Sequence, residues 1–327
     1  MAFIARRFGF YLAAVWAAVS INFMIPRLMP GNAIDAVLGK FQNLTPAVVK
    51  SLEAEFGFHP KGSIFSQYLQ YWNDVIHFNL GVSTSQYPTH VSTIIGQTLP
   101  WTLALVGVAT VLSFTIGTSL GIVAGWRRGG VLDRVMPALT LLQAMPYFFL
   151  ALLLIYLFAI VLGWLPYGQG YELGLTPGLN LPFIGSAITH SILPAVTIIA
   201  TSIGGWMLQM RNVMLTTISE DYILVAQAKG LSTRRVMFTY GARNAILPNI
   251  AGFALSLGFV VAGALVMEIV FSYPGIGLTL YNAVTSSDYP LTQGIFLVIS
   301  LAVLTASLLA DIAYALADPR ARSRSAF

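Results

Sequence analysis

The chain has no cysteine, and only 9% of its 327 residues are charged. The first absence excludes a disulfide framework, a thiolate metal site and thiol catalysis. Histidine is almost as scarce. His59, His77, His90 and His190 lie far apart, and no pair has the spacing of metal or haem ligands, which argues against a redox enzyme. There is no G-x4-G-K-[ST] run whose backbone amides could cradle a phosphate, and no nucleophile elbow or metal-spaced carboxylate set that would support an intramembrane enzyme. Soluble domains carry roughly a quarter charged residues. A chain that is 57% hydrophobic with so little charge cannot cover itself in water, so it belongs in a bilayer. The net charge of +5 comes from basic residues at the edges of apolar runs rather than from a stripe, which reads as membrane orientation and not as a nucleic-acid surface.

Crossing the hydrocarbon core takes about 20 mainly apolar residues. Six stretches qualify, at about 8–28, 99–125, 134–162, 189–210, 249–271 and 291–315. The first follows Arg6 and Arg7 and has no A-x-A-like exit at Ile25-Pro26-Arg27, so it is expected to stay as an anchor. With the N-terminus inside, the inner segments hold Arg6, Arg7, Arg127, Arg128, Arg134, Arg211, Lys229, Arg234, Arg235, Arg243, Arg320, Arg322 and Arg324. The outer segments hold Arg27, Lys40, Lys50 and Lys61. Thirteen against four places both termini in the cytoplasm.

Residues 29–98 form the long outer segment. Thr45-Pro46 reads as a helix start, Ala47 to Phe56 as a helical run and Gly57 as its stop, and a second helix fits Ile64 to His77 with Phe65, Tyr68, Leu69, Trp72 and Ile76 on one face. The expectation is a segment that packs as a loop; a membrane-surface helix and a lid over the bundle are the alternatives. The second outer segment, 163–188, is rich in Gly and Pro, carries Trp164, Tyr167 and Tyr171 as interfacial aromatics, and is expected to have little regular structure.

Residues 211–248 are the longest inner segment. Ser219 is expected to cap a helix at about 220–229, with Glu220 and Asp221 at its positive end and Gly230 where it stops. Tyr222, Val225, Ala226 and Lys229 share one face, and Thr233 starts a run into the fifth span. Such a helix can be simple surface cover. Small Ala226 and Ala228 beside Gly230 also leave a close-approach surface suited to a groove on another protein.

This loop resembles that of ABC importer permeases, in particular the first of the two permeases in dipeptide, oligopeptide and nickel-type importers. The pattern DY-x4-A-x-A-K-G-L followed by R-N-A-x-L-P is matched by Asp221-Tyr222, Ala226, Ala228, Lys229, Gly230 and Leu231, then Arg243-Asn244-Ala245 and Leu247-Pro248. Against the general loop consensus, Leu224 replaces a Glu, Val225 an Ala and Arg243 a Pro; the peptide-type first permease shows the same departures. Pro30-Gly31 resembles P-G-D-P with Asn32 and Ala33 departing, and Phe78-Asn79-Leu80-Gly81 resembles G-D-x-G with Asn79 for Asp. Glu268, Phe271, Pro274, Gly275 and Gly277 resemble E-x2-F-x2-P-G-x-G, Asp288-Tyr289-Pro290 resembles R-D-Y-P, and Asp311 with Asp318-Pro319-Arg320 resembles D-x6-D-P-R.

The resemblance implies an all-α membrane protein. It would have six transmembrane helices of the type I ABC importer (MetI-like) fold and a long helical extracytoplasmic insertion between helices 1 and 2. Its parts would be 1–28 (N-terminal segment and first span), 29–98 (insertion), 99–315 (core, with the coupling loop 211–248) and 316–327 (cytoplasmic tail). It implies a multi-pass, non-catalytic permease in a bacterial or archaeal inner membrane. The partners would be a second homologous permease, two cytoplasmic ABC ATPase subunits or domains that bind ATP and Mg, and an extracytoplasmic substrate-binding protein; the chain itself would bind no cofactor and no metal. Asp221, Tyr222, Val225, Ala226, Ala228, Lys229, Gly230 and Leu231 would form the ATPase-coupling surface. Peptides are the first-choice substrate, with nickel or cello-oligosaccharides as alternatives, and an ion-driven secondary transporter is the reading from another class.

Glu268 stands near the outer interface. Pairing with backbone or hydroxyl groups at a helix end is the preferred role, with gating or substrate contact as the alternative, and Pro274, Gly275 and Gly277 belong to the same gating or structural set. His190 and Asp311, each near a span end, are expected to be structural. Pro137, Pro146, Pro194 and Pro248 are expected to kink spans. Gly117, Gly121 and Gly125, a small-x3-small series, are expected to pack a neighbouring helix.

Overall fold

The computed structural model describes residues 2–28, 63–261 and 265–317, and among these the regular secondary structure is helical apart from one isolated bridge between Val82 and His90. The expected helix at 47–56, the Pro30-Gly31 motif and the Asp318-Pro319-Arg320 ending lie outside the described residues. The elements are α1 (Ala2–Leu28), α2 (Ile64–Ile76), α3 (Val91–Trp126), α4 (Val131–Ala144), α5 (Tyr147–Val161), α6 (Leu181–Ile218), α7 (Asp221–Ala228), α8 (233–245), α9 (Leu247–Val260), α10 (Leu265–Val270), α11 (Ile276–Thr285) and α12 (Tyr289–Ala317).

Among the described residues four helices are long and apolar enough to cross a bilayer: the Arg7–Ile25 part of α1, α3, α6 and the Tyr289–Leu309 part of α12. The stretch expected as the third span is divided. α4 and α5 meet at a bend of 101°, far more than a kink. Met145 precedes Pro146, where helical backbone is disfavoured, and it is extended at φ −76°, ψ 137°. Of the expected fifth span, α9 and α10 are described, and residues 262–264 between them lie outside the described residues. Pro194, by contrast, sits inside the unbroken 38-residue α6, and Pro248 occupies the first turn of α9, where its missing N–H costs no bond. Pro100 precedes a π-turn at Leu103–Gly107 within α3.

The core is built on α3 against α6. A Cβ at Gly117 would lie 2.7 Å from the Trp206 Cβ, one at Gly121 2.6 Å from the Met207 carbonyl, and one at Gly125 2.6 Å from the Met214 Cβ. The glycine series therefore sets how closely these helices approach, as the spacing implies. α4 crosses α6 where Gly204 meets the Leu139 carbonyl, at 2.5 Å from an added Cβ, and Arg211 Nε donates to Asp133 Oδ1 at 2.6 Å. α1 lies along α12, with Tyr11 and Thr305 hydroxyls 3.0 Å apart and Arg7 paired to Asp311 at 2.5 Å. Asp311 thus has the structural role expected of it.

Candidate coupling surface and buried carboxylate clasp

α7 follows α6 after a two-residue turn. Ser219 does not cap it. Ser219 ends α6 instead, with its Oγ donating to the Thr216 carbonyl at 2.7 Å, and Glu220 takes the extended N-cap position without a side-chain bond. The reason is length: α6 runs eight residues past the expected end of the fourth span and uses Ser219 as its own terminus. At the other end Gly230 adopts φ +69° and donates to the Gln227 carbonyl at 2.9 Å, the left-handed stop that favours glycine.

The two sides of α7 differ sharply. Ile223 and Ala226 are buried against Val236, with Trp126, Leu231 and Tyr240 around them. Tyr222, Leu224 and Val225 are exposed, Leu224 at 57% and Val225 at 52%, and Asp221, Ala228, Lys229 and Gly230 are exposed beside them. Ala226, placed by the sequence on the close-approach face, points into the chain and seats the helix. Ile223 escaped notice although the i, i+3 pair Ile223 and Ala226 carries the signal. Trp126 is the last residue of α3, so α7 rests on the end of that helix. Beneath it Ile122, Met210, Met214, Ala242 and Ala245 form a contiguous core joining α3, α6 and α8.

Glu268, Gly275 and Gly277 gather at Thr102, in the first half of α3. Glu268 is fully buried. Its Oε1 accepts from Thr102 Oγ1 at 2.7 Å, and its Oε2 accepts from the Gly277 and Leu278 amides at 2.7 and 3.1 Å. Thr102 Oγ1 in turn accepts from the Ile276 amide at 2.8 Å. The carboxyl group therefore satisfies the first amides of α11, donors that a helix leaves free at its N-terminus, and ties them to α3. A Cβ at Gly275 would collide with the Glu268 carboxyl, and one at Gly277 would lie 2.8 Å from the Leu265 Cα; both positions need the absence of a side chain. Pro274 packs under the second outer segment, against Gly170, whose added Cβ would lie 2.7 Å from the proline ring. Of the aromatics there, Tyr171 stacks on Trp101 at 5.8 Å, and Trp101 meets Tyr273 edge-on at 5.7 Å, while Trp164 and Tyr167 are exposed. His190 stays within α6, its Nδ1 2.8 Å from the Ser186 carbonyl.

A second carboxylate anchors the segment that follows Phe78-Asn79-Leu80-Gly81. Asp288 is fully buried at the start of α12. Its Oδ2 accepts from the Ser83 hydroxyl, from the Ser85 amide at 2.9 Å and from the Ser85 hydroxyl at 2.6 Å, and its Oδ1 from the Leu291 amide at 3.1 Å. Thr102, Ser83 and Ser85 had no local signal in the sequence, since each bonds a carboxylate some 160 to 205 residues away.

Between Thr102 and Trp126 α3 spans roughly 36 Å at 1.5 Å per residue. The clasp and the α7 surface thus stand far apart along one helix, at Thr102 in its first half and at Trp126, its last residue. Among the described residues no three His, Asp or Glu side chains converge as metal ligands would.

Residues 117–323 match the family of binding-protein-dependent transport system inner membrane components. The chain is 31% identical to the di/tripeptide transport system permease protein DppB of Pseudomonas aeruginosa, covering 98% of this chain and 99% of that protein. It is 30% identical to the oligopeptide transport system permease protein AppB of Bacillus subtilis, covering 98% of each. The chain belongs to the family of inner-membrane permease components of binding-protein-dependent ABC transport systems.

Proposed function

We propose that the chain is the first permease of a peptide importer. It forms half of the translocation path beside a second, homologous permease, with an extracytoplasmic binding protein on one side and two ABC ATPase subunits or domains, which carry the ATP and Mg, on the other. The observation that carries the substrate class is full-length kinship with a di/tripeptide and an oligopeptide permease. Counting α4 with α5, and α9 with α10, gives six spans, and the excess of inner arginine and lysine sets both termini in the cytoplasm. The insertion 29–98 then lies outside the cytoplasm and α7 within it.

α7 is the ATPase-docking helix in this reading. Tyr222, Leu224 and Val225 form an apolar surface on the cytoplasmic side that the described residues leave exposed, the pattern of a helix that fills a groove on a partner. Asp221, Ala228, Lys229, Gly230 and Leu231 complete or border that surface. Ile223 and Ala226 fix it to α8 and to the end of α3, so a push on α7 is delivered to the helix that carries Thr102 of the Glu268 clasp. Both buried carboxylates are saturated by protein donors, which leaves them poorly suited to carry protons or ions for a gradient-driven transporter.

The test is reconstitution of the complex in nanodiscs with its binding protein, followed by peptide-stimulated ATP hydrolysis and peptide uptake. Val225→Glu and Leu224→Glu are expected to leave the permease folded and to abolish the stimulation. Full coupling in both variants would refute the docking role, and stimulation by cello-oligosaccharides or nickel but not by peptides would refute the substrate class.

A further inference from the structure

We propose that α2 is an interfacial membrane helix, laid in the lipid headgroup layer at the C-terminal end of α1 with Phe65, Leu69 and Ile76 turned toward the acyl chains. The inference is independent of substrate and of ATPase docking.

The depth of α2 is set by its polar pins to α1. Tyr68 shares a 2.7 Å hydrogen bond with Ser20, Tyr71 accepts from Asn22 Nδ2 at 2.9 Å, and Arg27 donates to Gln67 Oε1 at 2.9 Å. Ser20 and Asn22 lie in the last turns of a span that runs Arg7–Ile25, and Arg27 lies just beyond it in the same helix. α2 therefore lies level with the end of the hydrocarbon layer, where Tyr and Trp are favoured.

The side that α2 turns outward is set by which residue takes which pin. Asn22 also donates to the Gln293 carbonyl of α12, at 3.0 Å, so Tyr71 marks the flank of α2 nearer α12. Tyr68 takes Ser20, which lies on the opposite flank of α1, in line with Trp16 and Met24 four residues to either side. That line is open: Trp16 is 60% exposed, Met24 44% and neighbouring Ile21 65%, as expected of a span surface that meets lipid. Beyond Tyr68 on α2, moving away from α12, come Phe65, Leu69, Trp72 and Ile76, a stripe with helical spacing of four, three and four. Phe65, Leu69 and Ile76 are 68%, 53% and 66% exposed, and Trp72 packs edge-on against Tyr68 at 6.3 Å. The stripe thus continues the open apolar surface of α1 around the end of the span. The sector beyond the stripe holds exposed Ser66, Gln70 and Asn73, which is polar and suits water, and exposed Ile64 stands apart at the start of the helix. A helix with one apolar and one polar flank at this depth sinks its apolar side about 5–10 Å into the headgroup and acyl boundary. A lid over the bundle would need the stripe turned toward α12 instead.

The native chain has no cysteine, so single nitroxide labels can be placed by Phe65→Cys, Leu69→Cys, Ile76→Cys, Gln70→Cys and Asn73→Cys in the assembled importer in nanodiscs. All five positions are exposed, so the labels need no repacking, and the three apolar positions report independently if one fails to fold. Collision with oxygen is expected to exceed collision with a water-soluble nickel chelate several-fold at 65, 69 and 76, with the ratio reversed at 70 and 73. Equal chelate access at 69 and 70 would overturn the proposal in favour of a water-facing lid. Exclusion of both reagents at all three apolar positions would overturn it in favour of protein cover, by residues 29–62 or by another subunit.

Discussion

Removing the Glu268 carboxyl separates a structural clasp from a transport group. In Glu268→Ala the Gly277 and Leu278 amides lose their acceptor inside a fully buried site. Each unsatisfied buried amide costs about 1–3 kcal/mol, so the two together cost about 2–6 kcal/mol. The Thr102 hydroxyl adds less, because it can rotate toward another acceptor while still receiving the Ile276 amide. Glu268→Gln keeps a carbonyl oxygen for the two amides and turns its NH2 toward Thr102 Oγ1, leaving mainly the Thr102 proton without its partner, at about 1 kcal/mol. Gly275→Ala attacks the same clasp from the other side by driving a methyl into the carboxyl. Thermal unfolding of the purified complex, followed by tryptophan fluorescence, is therefore expected to rank wild type above Gln and Gln above Ala, with Gly275→Ala close to Glu268→Ala. Peptide uptake at a temperature where all remain folded is expected to survive in Glu268→Gln. A Glu268→Ala protein as stable as wild type but dead in transport would refute the clasp and assign the carboxyl to the path.

Three further outcomes test the packing and the docking surface. Gly121→Ala places a methyl 2.6 Å from the Met207 carbonyl, and is expected to lower stability by about 1–3 kcal/mol, read as a lower unfolding temperature; Gly129→Ala, with open space around it but φ +73°, is the control for backbone strain without overpacking. Asp288→Ala removes the shared acceptor of Ser83, Ser85 and the Leu291 amide, so amide exchange across residues 83–90 is expected to quicken while exchange in α7 does not change. Ala226→Glu, which buries a charge against Trp126 and Val236, is expected to destabilise the protein, whereas Val225→Glu one residue away is expected to leave unfolding unchanged and to act on ATPase coupling alone. The same unfolding temperature for both would show that α7 is not seated as described.

Several features were legible locally. Hydropathy and the scarcity of charge place the chain in a bilayer, because a span needs only its own residues to be apolar. Gly230 stops α7, and Gly117, Gly121 and Gly125 mark a close helix contact, because a left-handed turn and a missing Cβ are properties of single positions. The break at Met145-Pro146 was legible as a proline but not as a 101° bend, since α6 and its neighbours decide whether a freed helix end turns away or continues; Pro194 continues in α6.

Hydropathy, turn residues and helical spacing thus determined by themselves that this protein crosses a membrane and presents a short helix between two long ones. Only the tertiary structure decided that Ile223 and Ala226 face inward while Leu224 and Val225 face out, that Ser219 closes α6 rather than opening α7, and that Glu268 and Asp288 are met by Thr102, Ser83 and Ser85. The physical reason is that burial and hydrogen-bond satisfaction belong to pairs of elements: an apolar side chain reads the same in sequence whether a neighbour covers it, and a carboxylate carries no record of a donor more than 150 residues away.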